Sequence, residues 1–204
     1  GEGVPAVRSD HEQGGRLIAR QLIDSGARHV VLVGGPRSQF AEATTFPTIR
    51  YHLTVERMLA DAGIACDYVE AGIVADICAH EATARAIFER YSDVDAIVGS
   101  DLVASVALQE ALRRGISVPR DLQIIAYDGT FMAETAGMRL TAVRQDFPAV
   151  AAALASRMDS QIAADNGTTS AAAAEGGNAV AANGGQSTSE DIISVTLIPG
   201  ETTR

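Results

Sequence analysis

Short apolar runs alternate along this chain with longer segments in which apolar residues return at three- and four-residue intervals. Residues 29–33 (HVVLV), 96–99 (AIVG) and 122–126 (LQIIA) are too short for helices and read as strands buried on both faces. Further strands are expected at 4–7 and around 67–70. Between them the period changes. Residues 10–25 put Leu17, Ile18, Leu22 and Ile23 on one helical face and stop at Gly26. A second helix begins at Arg50, with Ile49, Leu53, Leu59 and Ala62 marking its core face and Gly63 its end; a third covers roughly 79–90.

The best-defined unit, 93–130, reads strand, helix, strand. Ser100 and Asp101 supply an N-cap type residue where the first strand ends. Val103, Val106, Leu108 and Leu112 recur near helical spacing, and Arg113 and Arg114 sit in the last turn, where cations oppose the helix dipole. Gly115 suits a left-handed position after the helix, and Pro119 prevents continuation. Tyr127-Asp128-Gly129-Thr130 follows the second strand at its carboxyl end, the edge where open parallel sheets bind ligands. Past Thr130 the rhythm breaks: a strand at 140–145 arrives without a full helix before it, and an Ala-rich helix follows at 149–163. Residues 164–190, rich in Gly, Ala, Ser, Thr and Asn, bury too little to offset ordering entropy and are expected to form a flexible loop before a last strand at 192–198. The pattern predicts an α/β fold, an open mostly parallel sheet with helices on both faces.

Composition narrows the function. With 204 residues and 47% hydrophobic content the chain can bury one or two α/β lobes. A formal net charge of −10 argues against this chain itself gripping phosphate backbones. No apolar run reaches the roughly 18 to 20 residues of a membrane span, and no signal peptide opens the chain, so no membrane partner is expected. Cys66 and Cys78 have neither CxxC nor zinc spacing and read as reduced, structural thiols of an intracellular protein. The chain starts on Gly1 without an initiator Met, as a fragment or a processed chain would.

The common catalytic and cofactor motifs are missing. GGPRSQF after the strand at 29–33 is not GxGxxG, and there is no GK[ST], GxSxG or HExxH. His11, His29, His52 and His80 form no ligand-spaced cluster and read as surface or satisfied histidines. No catalytic residue, metal or cofactor is therefore expected. Asp101 and Asp128 fall at neighbouring strand ends; Asp101 reads first as a helix cap, and Asp128 as either a turn residue or a ligand group. Arg50 is expected to project toward the same edge. A carboxylate and a guanidinium facing one cleft make a site for a polar or polyhydroxylated small molecule.

These residues carry a resemblance. HEQGGRLIARQLIDSGARHVVLVGG, AIVGSDLVASVALQEALRRGISVPRDLQIIAYD, LTAVRQD and the final GETTR together resemble the effector-binding region of the LacI/GalR family of bacterial transcriptional regulators. The likeness extends over nearly the whole chain except 164–190. It implies a two-lobed, type I periplasmic-binding-protein-like fold, with one nearly complete lobe and part of a second. The amino-terminal lobe would keep 1–26 and 144–165, and the carboxyl-terminal lobe 27–143 and 191–204. It further implies a sugar or related effector between the lobes, a homodimer, a cytoplasmic protein, and operator DNA bound only through an amino-terminal headpiece absent from this chain.

Carried over by position, Arg50 would clamp the effector and Asp128 would accept its hydroxyls. Ser100 stands where an Asn often contacts the ligand, Asp101 beside it; Gln145 lies at the interlobe crossover, and Gln13 where a polar residue reaches the cleft. Val74 stands where many members place an aromatic platform, so Phe40, Phe46 or Phe131 are candidates for stacking instead. With one cleft wall mostly missing, this chain alone is expected to bind effector weakly or not at all. A transporter's sugar-binding protein shares the fold and is the alternative; the VPxD, YD, LTxVxQ and TTR series suits the regulators better. An α/β enzyme would need a nucleophile, metal set or cofactor loop.

Overall fold

The computed structural model describes residues 6–38, 48–72, 76–174 and 190–204, with 164–174 as backbone only. Its elements run β1 (Ala6–Ser9), α1 (His11–Asp24), β2 (His29–Gly34), α2 (Ile49–Asp61), β3 (Ala65–Glu70), α3 (Ile77–Arg90) and β4 (Ala96–Ser100). They continue with α4 (Asp101–Arg113), β5 (Gln123–Asp128), α5 (Phe131–Thr135), β6 (Thr141–Gln145), α6 (Phe147–Ala174), β7 (Glu190–Ile193) and β8 (Val195–Ile198). Two compact units result: Gly1–Ser9 with Asp146–Ser194, and Asp10–Gln145 with Val195–Arg204.

The larger unit is built on a six-stranded sheet ordered β3-β2-β4-β5-β6-β8, parallel except for β8, which runs antiparallel to β6. Because strand side chains alternate, successive residues of β2 feed two cores. Val30 and Leu32 join Ile18 and Leu22 of α1 with Val55 and Leu59 of α2. Val31 and Val33 join Ile87 of α3 with Ala104 and Leu108 of α4. Helices thus cover both faces, as the continuous apolar runs require. Full burial of each such Ile or Leu contributes about 1.5–3 kcal/mol. On one face α1 and α2 meet backbone to backbone: a Cβ on Gly15 would lie 2.7 Å from the Tyr51 carbonyl oxygen.

Several boundaries depart from the sequence reading. In α2 the core side is Ile49, His52, Val55 and Leu59, whereas Leu53 is 42% exposed and Ala62 caps the helix at the surface. The buried stripe includes polar and aromatic residues, so apolar counting set it on the wrong side. In α4, Ala111 makes the last core contact and Leu112 is exposed. Ser100 is the cap, its Oγ accepting from the Val103 N–H at 3.4 Å. The five-residue α5 fills the gap before β6. Residues 10–26, expected with the amino-terminal lobe, belong to the larger unit, where Ile18, Ala19 and Leu22 of α1 are fully buried.

In the smaller unit β1 pairs in parallel with β7, and Arg8 bonds Glu190 at 2.7 Å across the pair. Helix α6 runs to Ala174, into the stretch expected to be loop from 164; residues 175–189 lie outside the described residues. The single strand expected at 192–198 is two. The chain leaves the small sheet after Ile193 and enters the large one at Val195, whose buried side chain faces the core while its N–H bonds Gln13.

Candidate functional site

In the large sheet the strand order reverses between β2 and β4: the chain steps outward to β3, then returns past β2. The crevice at the carboxyl ends there is a topological switch point, left open because the flanking connections diverge to opposite faces. A cavity of about 490 Å³ lies at it, within the roughly 300–1,000 Å³ range of small-molecule sites. Gly34 at the end of β2 with Gly35 after it, Ser100 at the end of β4, and Tyr127 and Asp128 at the end of β5 line it.

Asp128 is held in an unusual way. Its backbone has φ 114°, a region that side-chain-bearing residues rarely occupy, and such strain is characteristic of positions fixed for a purpose. Its Oδ1 accepts a 2.7 Å hydrogen bond from the Gln145 amide. Burial pushes its carboxyl up to about 6; the Gln145 bond opposes this and the nearby Asp101 charge adds to it. The adjacent turn is clasped by Asp101. One Asp101 oxygen accepts from the Gly129 N–H at 3.1 Å, and the other accepts both the Thr130 N–H and its hydroxyl at 2.6 Å. Asp101 is therefore not the helix cap: it lines the cavity with its acceptors already committed to the turn that presents Asp128.

The opposite wall is aromatic and imidazole-rich. Tyr51 stacks on Tyr127 with centroids 3.9 Å apart and planes 7° from parallel, and the Tyr127 hydroxyl is 2.6 Å from His11 Nδ1. His52 leans on Tyr51 at 3.9 Å and meets Tyr68 edge-on. Tyr68 donates to the Gly35 carbonyl at 2.8 Å, and a Cβ on Gly34 would lie 2.3 Å from that hydroxyl. Burial lowers His52 to about 3, so its imidazole is neutral at physiological pH. His80, in the second turn of α3, also lines the cavity.

Of the residues singled out in the sequence, Asp128, Ser100 and Asp101 line the cavity, and Gln145 supports it through Asp128. Arg50 and Gln13 are not among the lining residues. The Arg50 guanidinium donates to Glu12 of α1 at 2.8 Å instead of converging with Asp128, since the helix turn that buries Ile49 and Tyr51 sends Arg50 toward α1. Gln13 accepts from the Val195 N–H at 2.9 Å and fastens the chain where β8 begins. Val74, Phe40 and Phe46 fall outside the described residues, and Phe131 is 75% exposed. Sequence reasoning missed Tyr51, His52, Tyr68, His80 and Tyr127. Tyr51 and His52 left a signal, standing beside Arg50 at helical spacing from Ile49 and Val55; His80 left none. Both cysteines are free thiols, and among the described residues no group of three His, Cys, Asp or Glu side chains is placed to hold a metal ion.

A doubly wound sheet with a polar and aromatic cavity at its switch point defines a small-molecule-binding α/β domain. The model of the periplasmic binding protein-like domain matches residues 19–178, and the chain belongs to that family, in the form found in LacI-type transcriptional regulators. It is 33% identical over 130 residues to the ribose operon repressor of Bacillus subtilis (strain 168), covering 62% of this chain and 37% of that protein. It is 30% identical over 148 residues to the HTH-type transcriptional regulator CelR of Thermobifida fusca, covering 71% of this chain and 41% of the relative. The chain thus spans about two-fifths of the length of these curated relatives. Among solved structures, a CelR–cellobiose complex matches with a TM-score of 0.74 at 22% identity, over 98% of this chain and 54% of that one. The ribose operon repressor protein of Lactobacillus acidophilus matches with a TM-score of 0.76 at 20% identity, over 99% and 65%. These two likenesses are of fold. Among the described residues no helix is long and apolar enough to cross a membrane.

Proposed function

We propose that this chain is the effector-binding region of a LacI-family transcriptional regulator and that it senses a small polyhydroxylated ligand, a sugar, in the cavity at the carboxyl ends of β2, β4 and β5. The observation that carries this reading is Asp128: a desolvated carboxylate, held by Gln145 at a strained backbone position, faces a cavity walled by Tyr51 and Tyr127. Desolvated carboxylates accept hydroxyl hydrogen bonds strongly. The relatives support the class, one bearing the name of a ribose operon and another solved with cellobiose. The same relatives are regulators, which favours this reading over a transporter's binding protein or an enzyme.

Ser100 adds a hydroxyl to the cavity lining. Arg50, bonded to Glu12 at 2.8 Å and outside the cavity lining, keeps α2 against α1. Gln13 and Asp101 keep the frame. Operator binding through a helix-turn-helix and a homodimeric assembly are part of this proposal, and the HTH-type regulator among the relatives supports the first. The test is calorimetric titration of the intact gene product with ribose, xylulose, cellobiose, lactose and sucrose, alongside Asp128→Asn. A wild-type isotherm weakened at least tenfold by that substitution is expected. Binding of none of these sugars, or binding indifferent to Asp128, would overturn it.

A further inference from the structure

Beyond Asp128, one more buried polar group in the cavity is left over by the fold. His80 is only 7% exposed, it lines the cavity, and its Nδ1 has no hydrogen-bond partner among the described residues. An imidazole nitrogen removed from water without a partner is destabilising, and buried polar groups are otherwise almost always satisfied. Two other histidines of the larger unit show what satisfaction looks like: His11 meets the Tyr127 hydroxyl at 2.6 Å, and His29 bonds Asp67 and Asp93 at 2.9 and 3.0 Å. Helix α3 does not need His80 for its own capping, since Asp76 already accepts from the Cys78 and Ala79 N–H groups.

The cavity's charge bears on the ligand as well. Its described lining holds the carboxylates Asp101 and Asp128 and no Arg, and the chain has no Lys anywhere. A phosphate or carboxylate on the ligand would enter a site whose fixed charges repel it.

We infer that His80 is a second polar anchor of this cavity and that the ligand is uncharged, with one hydroxyl bonded to Asp128 and another to His80. The inference rests on the effector-binding reading and deepens it. An imidazole ring can present one donor and one acceptor nitrogen, so it takes a hydroxyl in either sense, while a carboxylate only accepts. The two groups therefore read hydroxyls at separate positions of one ligand. An analogue lacking the hydroxyl that meets His80 leaves the histidine unsatisfied and is rejected, which makes His80 a specificity residue.

The experiment uses the intact gene product and calorimetric titration with ribose, cellobiose and sucrose, together with ribose 5-phosphate and glucuronate. The variants are Asp128→Asn, His80→Ala and His80→Asn, each checked for an unchanged thermal midpoint without ligand. The expected result is that a neutral sugar binds, that His80→Ala weakens it by roughly 5- to 100-fold, and that His80→Asn recovers part of the loss. Single-deoxy analogues of that sugar identify the contact: the one lacking the hydroxyl at His80 binds wild type weakly and is indifferent to His80→Ala. If Asp128→Asn abolishes binding while a folded His80→Ala or His80→Asn binds like wild type, the second anchor is overturned and the effector site stands. Tighter binding of ribose 5-phosphate or glucuronate than of every neutral sugar overturns the uncharged ligand. If none of the sugars binds wild type, the effector reading falls and this inference with it.

Discussion

The two ends of the large sheet carry the same kinds of side chain and treat them in opposite ways. At the amino end His29 opens β2 with both ring nitrogens engaged, 3.0 Å from Asp93 and 2.9 Å from Asp67. Beside it the buried Asp95 accepts from the Arg28 and His29 N–H groups, each at 3.0 Å, and ties the start of β2 to the start of β4. At the carboxyl end a histidine and an aspartate again line one region, the cavity, but among the described residues His80 Nδ1 lacks a partner and the Asp128 side chain has the Gln145 bond alone. One end uses its polar groups to close the fold; the other keeps hydrogen-bonding capacity in reserve. The presence of His and Asp does not separate a structural cluster from a binding site. Their saturation does.

The largest expected effect falls at the saturated end. Asp95→Ala removes the acceptor of the buried His29 N–H and of the part-buried Arg28 N–H and should cost about 3 kcal/mol of stability, read as a lower urea midpoint at constant slope. A loss under about 1 kcal/mol would mean that the amino-end network is dispensable and the contrast false. Asp101→Ala should come next, at about 2 kcal/mol, since it frees the Gly129–Thr130 turn, and it should also weaken ligand binding because that turn presents Asp128. Asp128→Asn is expected to do the reverse, leaving stability equal or higher while lowering sugar affinity by about 10- to 100-fold. Unfolding curves and titrations on one preparation separate the two behaviours.

The smallest effects are in pH, and their signs follow from proton uptake. For His29, burial lowers the pKa but the bonds to Asp67 and Asp93 more than offset it, so the folded value lies above the unfolded one near 6.5. The folded state then holds the extra proton, and this stabilisation, fully present below about 6.5, is lost as pH rises through the folded value. For Asp128 the folded value of about 6 exceeds the unfolded one near 3.9, so stability is gained as pH falls through 6 toward 4. Urea midpoints followed from pH 8 to 4 should show both increments; His29→Gln should remove the upper one and Asp128→Asn the lower. Ligand affinity should move the other way. A hydroxyl donated to the Asp128 carboxylate needs it ionised, so affinity rises with pH through about 6 in wild type and stays flat in Asp128→Asn.

The smaller unit sharpens the lesson about what patterns can tell. Its helix α6 exposes Phe147, Leu154, Met158 and Ile162, and Ala-rich periodicity alone did not reveal where that helix ends. A weak apolar stripe places few constraints on length, whereas the strong stripes of β2, β4 and β5 pinned those strands to within a residue or two.

What the sequence by itself determined is the alternation of buried strands with capped helices, a cap at the Ser100-Asp101 pair, and Asp128 at the end of β5. These are local matters of period, capping and turn chemistry, and short-range physics decides them. The family, too, was legible, because its motifs lie on those same elements. What only the tertiary structure decided is which groups share the cavity and which are already spoken for. Arg50 turned to Glu12, Asp101 to the Gly129–Thr130 turn and Gln13 to Val195, while Tyr51, His52, Tyr68 and His80 came together from three separate elements. Hydrogen-bond saturation is a property of neighbours distant in sequence, and no periodicity along the chain encodes it.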